Sequence, residues 1–326
     1  MPPTSFTMGP ETVKILVGRS LTPFTIHKSL IITHSEYFAR AFSGRFKKPD
    51  ENTMELAHIH EATFGLFTRW LYSQASRPIN TNPCGNALLL LKSLRKRDED
   101  TNKQDVYDVD SDMSVPIEEG LESDGTESTE DGESESDSDT GEPVTGMVQE
   151  EERRAYDRVV DCLIDLYIFA DAYETRRLRN DVMSMLLFLD LQGYQYLHND
   201  SHGCIVGSLL YPRFRHVIKA YDNLPDSSSM CRYILHTMAY NWHPDADVPE
   251  DVPACELPTY FLAHMMMICV RRQWSEEVTR TLLQDVFDTC LYHEHDSVEE
   301  KDACEAQKDD DELYIRSFLL ACIAVS

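Results

Sequence analysis

Cys290, His293 and His295 place one thiol and two imidazole side chains within six consecutive positions. Those two groups bind zinc and similar metals, and a structural zinc site needs four of them in a tetrahedral array. The local sequence offers three, with no CxxC pair and no fourth partner beside them. The expectation is an incidental cluster, with no metal and no cofactor. His293-Glu294-His295 has the outline of a deaminase motif but lacks the PCxxC that completes it. His60-Glu61 opens like the HExxH helix of zinc proteases, yet Phe64 stands where the second histidine is required. There is no GxSxG elbow and no glycine-rich phosphate loop, and glycines total only 13. These residues point away from catalysis, and the chain is expected not to be an enzyme.

Charge narrows the field further. The net charge is −27, but Asp98 to Glu152 holds 22 Asp or Glu against the single base Lys103, or −21, which leaves −6 for the rest of the chain. A duplex binder needs clustered Lys and Arg to displace counterions, so direct nucleic-acid binding is not expected. The longest apolar stretches, Tyr260 to Val270 and Ser317 to Val325, are far shorter than a membrane span. Residues Met1 to Pro10 lack the pattern of a secretory signal. Cysteines are odd in number (nine), scattered, and mostly embedded in apolar helical patterns. That usage suits a reducing compartment, so a cytoplasmic or nuclear location is expected.

The elements that would carry these residues can be read from periodicity. Val13, Ile15 and Val17 alternate with Lys14 and Leu16 in a strand, Gly18-Arg19-Ser20 turns, and Phe24 and Ile26 restart the alternation. Leu30, Ile31 and His34 fit a short helix. Ser35 can cap a second, Glu36 to Phe42. Met54, Leu56 and His58 form a third strand, followed by a helix from about Glu61 to Tyr72 with Phe64, Phe67 and Leu71 on one face. Strands and helices in that order make an α+β domain. His27, bounded by Phe24 and Leu30, reads as a satisfied structural histidine.

Val13-Lys14-Ile15-Leu16-Val17, then Phe24-Thr25-Ile26-His27-Lys28-Ser29-Leu30, then Ser35-Glu36-Tyr37-Phe38 resembles the opening of a BTB/POZ domain. That family runs hydrophobic strand, F-x-x-H-x-x-L, S-x-x-F. Glu51, the strand ending at Ile59, and Phe64 with Leu71-Tyr72 continue the likeness. Asp165 to Tyr173 followed by Arg177-Leu178-Arg179-Asn180 resembles the last helix pair of BTB proteins abundant in filamentous fungi. The resemblance implies a BTB/POZ fold, a small sheet with surrounding helices, over residues 11–195. The acidic insert 98–152 interrupts it, and an all-α region over 196–326 follows. Helices are expected at Ala87 to Leu94, His216 to Tyr221, Ser229 to Tyr240, Thr259 to Arg272, Glu276 to His293 and Asp311 to Ala324.

The resemblance further implies a protein–protein interaction module that forms a homodimer and, in many relatives, serves as a substrate adaptor on a cullin scaffold of a ubiquitin ligase. Cullin-binding relatives often carry a hydrophobic-x-Glu motif where this chain has Phe46-Lys47-Lys48. A lysine at the glutamate position implies weak or absent cullin binding, since a mismatched desolvated charge is costly. Two other readings are that Lys47 and Lys48 solvate an exposed loop, or that Phe42 and Phe46 anchor a rearranged interface. The alternative function is a nuclear scaffold whose acidic loop binds basic chromatin proteins. Ser128, Ser134 and Ser136 each have an acidic residue at +3, the pattern of an acidophilic kinase target.

Asp98 to Glu152 carries too little apolar surface to offset the entropy of ordering it. Lengthening a loop from about 5 to about 55 residues costs about 2 kcal/mol, which a well-packed domain tolerates. Limited proteolysis is therefore expected to cut this segment first and to leave the flanking pieces associated. Separation of the nicked pieces without denaturant would contradict an insert within one domain.

Overall fold

The computed structural model describes residues 9–43, 52–76, 145–198, 210–241, 252–274, 288–306 and 312–325. The expected helix at Ala87 to Leu94 lies outside them.

β1 (Thr12–Val17) turns Val13, Ile15 and Val17 inward and pairs antiparallel with β2 (Thr22–His27), with Val13 opposite Ile26 and Ile15 opposite Phe24. The turn between them needs Gly18, whose φ is 75° and whose missing Cβ leaves room for the Glu61 carboxylate. Glu61 accepts a hydrogen bond from Ser20 Oγ at 2.6 Å, which ties the hairpin to the start of the following helix layer. Helices α1 (Lys28–His34) and α2 (Glu36–Ala41) carry the chain across to β3 (Thr53–Leu56), which lies parallel to β1. The sheet order is β2-β1-β3. Next comes α3 (Glu61–Ser76), one turn longer than its periodicity predicts, with Phe64, Phe67, Trp70 and Leu71 fully buried.

Helix α4 (Thr145–Ala172) lies at the centre. Val159, Val160, Leu163, Ile164, Leu166, Tyr167, Phe169 and Ala170 are all buried, and a helix apolar on so many sides must be walled by other elements. α5 (Arg176–His198) and α6 (Phe214–Asn223) pack on it, as do α3 and the last helix, α10 (Glu312–Val325). Between α6 and α10 run α7 (Ser229–Asn241), α8 (Thr259–Trp274) and α9 (Val298–Ala306). The fold is α+β, with a small mixed sheet and predominantly helical remainder.

Two expectations change. The acidic insert was bounded at Glu152, but α4 is already helical from Thr145. Gln149 and Glu150 to Glu152 are good helix formers, and a helix nucleated by its buried downstream half extends through them. The single helix expected from Glu276 to His293 does not reach its end. Thr289–Leu291 is a 3-10 turn and the residues to Asp296 form a loop, because Tyr292 and its neighbours turn inward. Buried residues on both sides of position 195 belong to one hydrophobic cluster running from β1 to α10.

α2 is joined to the far end of α4 by Ser35. Its Oγ accepts from Phe38 N at 3.2 Å, capping α2, and donates to Tyr173 O at 2.6 Å. An aromatic stack follows that joint: Phe38 lies 5.3 Å from Tyr173, Tyr173 4.5 Å from Phe169, and Phe169 4.8 Å from Phe67. Trp70 Nε1 donates to Asp181 at 2.7 Å, fixing α3 to α5. α6 is held on α4 by charge. Lys219 reaches Asp161 at 3.3 Å and Asp165 at 2.8 Å, and Arg215 reaches Asp161 at 3.1 Å. Burial opposes ionisation of Asp161, but His216, Lys219 and Arg215 outweigh it and hold the carboxyl at about 2.

Asp190 behaves in the opposite way. Its carboxylate is buried between Tyr156 Oη at 3.0 Å and Tyr233 Oη at 2.7 Å. Burial pushes its pKa up to about 7 although both hydroxyls favour the charged form. Raising the pH from about 4 to about 7 ionises this group in the unfolded chain before the folded one, so its stabilising contribution declines over that window and is level above it. Asp190→Asn mimics the protonated acid. It is expected to flatten the fall in stability between pH 5 and 7, on the order of 2 kcal/mol, in urea unfolding at a series of pH values. An unchanged pH slope in the variant would show that Asp190 does not titrate in this window.

Candidate metal centre

The amino-terminal turns of α5 grip a loop more than a hundred residues later in the chain. Asn180 uses both ends of its carboxamide on the backbone of Glu294: Nδ2 donates to the carbonyl at 3.1 Å, and Oδ1 accepts from the amide N at 2.9 Å. Arg179 forms a two-pronged ion pair with the Glu294 carboxylate, both bonds being 2.6 Å. Such charge-assisted forks fix orientation as well as adding energy. Arg176 pairs with Asp296 and, at 2.8 Å, with Glu300 at the start of α9. Tyr292 is fully buried, with its hydroxyl 3.0 Å from His236 Nδ1 and its ring edge-on to Tyr233.

With Tyr292 and Glu294 fixed, the flanking side chains converge. Cys290 from the 3-10 turn, His293 and His295 from the loop, and Cys304 from α9 each place a ligand atom within 4.8 Å of all the others. His293 Nδ1 lies 3.1 Å from Cys304 Sγ, and its Nε2 lies 3.0 Å from Ser184 Oγ on α5. The rings of His293 and His295 meet edge to face at 5.8 Å. Both ring nitrogens of His295 are buried and have no hydrogen-bond partner among the described residues. An unmade hydrogen bond at such a group costs about 1–3 kcal/mol. Cys290 is buried, and burial together with the adjacent Cys304 pushes its thiol up to about 12.

The sequence places Cys290, His293 and His295 together correctly but misses Cys304, which helix α9 brings back over the loop. The full spacing is C-x2-H-x-H-x8-C. Cys304 stands in the next helix, nine residues beyond His295. Two sulfur and two nitrogen donors form a donor set of the structural zinc type.

The other sequence-predicted residues fall elsewhere. Glu61 bonds to Ser20, and His60 Nδ1 accepts from Ala62 N at 3.2 Å, so this pair finishes the start of α3. Phe42 is buried in the core and stacked on Phe38 at 6.3 Å, so it is not exposed as an anchor. Phe46, Lys47, Lys48, Ser128, Ser134 and Ser136 lie outside the described residues. His27 accepts or donates at 2.8 Å to Tyr72 Oη, as a structural histidine should.

Compared with known proteins, the chain matches no family model, no curated protein and no solved structure. Among the described residues, no helix is long and apolar enough to cross a membrane.

Asn180→Ala removes both bonds to the Glu294 backbone and leaves those groups half-buried. The expected cost is about 1–3 kcal/mol in urea unfolding, with faster hydrogen exchange concentrated at residues 290–296. Loss of stability without that local signature would place the role of Asn180 elsewhere.

Proposed function

We propose that this chain is a non-enzymatic protein–protein interaction module built on a BTB/POZ-like amino-terminal half. The observation that carries this reading is the meeting of motif residues distant in sequence. His27 of the F-x-x-H segment and Tyr72 of the closing L-Y pair are hydrogen-bonded at 2.8 Å. Of the apolar positions of the same motifs, Val13, Ile15, Val17, Leu30, Phe38, Phe64 and Leu71 are buried in one core, and Phe24 packs half-buried against it. The order of elements, a strand hairpin, two short helices, a third strand and a helix, supports the reading.

Binding of a protein partner is supported by a second feature. Helix α8 exposes Tyr260, Leu262, Met266, Met267 and Val270. Methionine and aromatic side chains in a patch adapt to protein surfaces more readily than charged ones do. On this reading the module self-associates and presents a partner to a larger assembly. A cullin scaffold is a candidate for that assembly, bound weakly at most because Lys48 stands where the family has glutamate.

Light scattering over a range reaching tens of micromolar, the scale of transient association, tests self-association. The reading predicts a mass rising toward that of a dimer, and a constant monomer mass removes it. Affinity purification of the full chain and of a form lacking residues 98–144, which spares α4, separates the two functional readings. An interaction module keeps its partners without the acidic segment. Loss of every partner on deletion favours instead the scaffold that binds basic chromatin proteins through the acidic loop.

A further inference from the structure

We propose that Cys290, His293, His295 and Cys304 bind one zinc ion in a closed, structural site that ties the 288–306 segment to itself and, through α5, to the rest of the core. The four ligand atoms lie within 4.8 Å of one another. With zinc bonds of about 2.3 Å to sulfur and about 2.0 Å to nitrogen, tetrahedral ligands stand about 3.3–3.8 Å apart. Closing the cluster around an ion therefore needs only small side-chain adjustments.

Three features set this cluster apart from a chance gathering of cysteine and histidine. His295 has two buried nitrogens and no partner for either among the described residues, and a metal bond would satisfy one of them. His293 already has the arrangement typical of a metal-binding imidazole. One nitrogen faces Ser184 Oγ at 3.0 Å, and the other faces a cysteine sulfur of the cluster at 3.1 Å. A partner on the outer nitrogen fixes the ring and its tautomer. Third, Asn180 and Arg179 hold Glu294, the residue between the two histidines, by its backbone and its side chain. Much of the loop ordering is thus done by contacts outside the cluster.

Binding is written Zn²⁺ + 2 Cys–SH + 2 His → Zn(S–Cys)₂(His)₂ + 2 H⁺. The product carries no net charge, which suits a half-buried position. The chain supplies all four ligands, so no coordination position remains for water or substrate, and the site stabilises rather than catalyses. Two thiolates and two imidazoles favour zinc over magnesium or calcium, which prefer oxygen ligands. A Cys290–Cys304 disulfide would consume both sulfurs and leave His295 unsatisfied.

The test is made on the full chain, purified under reducing conditions without chelator and then incubated with excess zinc and desalted. Elemental analysis is expected to find about one zinc per chain. Cobalt in its place should give the visible absorption of a tetrahedral site with a thiolate charge-transfer band. Cys290→Ser/Cys304→Ser should lose the metal, whereas Cys255→Ser/Cys269→Ser, at two exposed thiols, should keep it. Removing zinc from the wild-type chain should lower its melting temperature by on the order of 5 °C. If the double cysteine variant fails to fold, wild-type stoichiometry and the cobalt spectrum still decide the question. No zinc on the wild-type chain after incubation overturns the proposal. So does zinc retained by a folded Cys290→Ser/Cys304→Ser variant, or an intact mass two hydrogens light with Cys290 and Cys304 linked.

Discussion

Helix α4 sets the constraint that the rest of the structure answers. Between Val159 and Ala170 it presents apolar side chains in nearly every direction; Cys162 and Ile168 are half-buried and the others are buried. Fully burying one large aliphatic or aromatic side chain is worth about 1.5–3 kcal/mol, so leaving any flank of this helix in water would be expensive. The sheet-bearing half supplies α3 and its aromatic stack on one side. α5 and α6 supply others, and α10 returns from the far end of the chain to close the remaining one. A segment that begins beyond the acidic stretch thus becomes the common core of everything before and after it.

The same logic places the polar contacts. They sit where elements distant in sequence must be held in register against α4. Ser35 bridges α2 to Tyr173 at the end of α4, Trp70 reaches Asp181 on α5, and Arg179 and Asn180 reach forward to Glu294. Each is buried or half-buried, where a hydrogen bond is costly to break. The Cys290–His293–His295–Cys304 cluster is the last of these joints. It closes the loop that α5 has already oriented.

Much of the amino-terminal half was legible in the sequence, because its elements announce themselves locally. The two-residue alternation of Val13, Ile15 and Val17 gives β1, and the helical spacing of Phe64, Phe67 and Leu71 gives α3. Periodicity reports which face is buried but not against what, so the return of α10 onto α3 and α4 could not be read from Tyr314, Phe318 and Cys322. Composition misled at two points. The glutamates before Arg153 read as part of a disordered acidic stretch, yet they extend α4. The end of the run expected as helix up to His293 is instead a 3-10 turn and a loop, held by the clasp on Glu294. Cys304 was invisible as a ligand for the same reason: only the tertiary fold brings α9 over the loop.

A shared core around α4 has a direct consequence for how the molecule opens, and native-state hydrogen exchange measured against denaturant reads it. If the account is right, the amides of residues 159–170 are the slowest to exchange. Those of β1 and the buried face of α10 should then converge with them on one opening free energy, that of global unfolding. If α10 exchanges through a separate opening of much lower free energy while β1 and α4 stay protected, the carboxy-terminal helices form an independent unit and the single-core account is wrong.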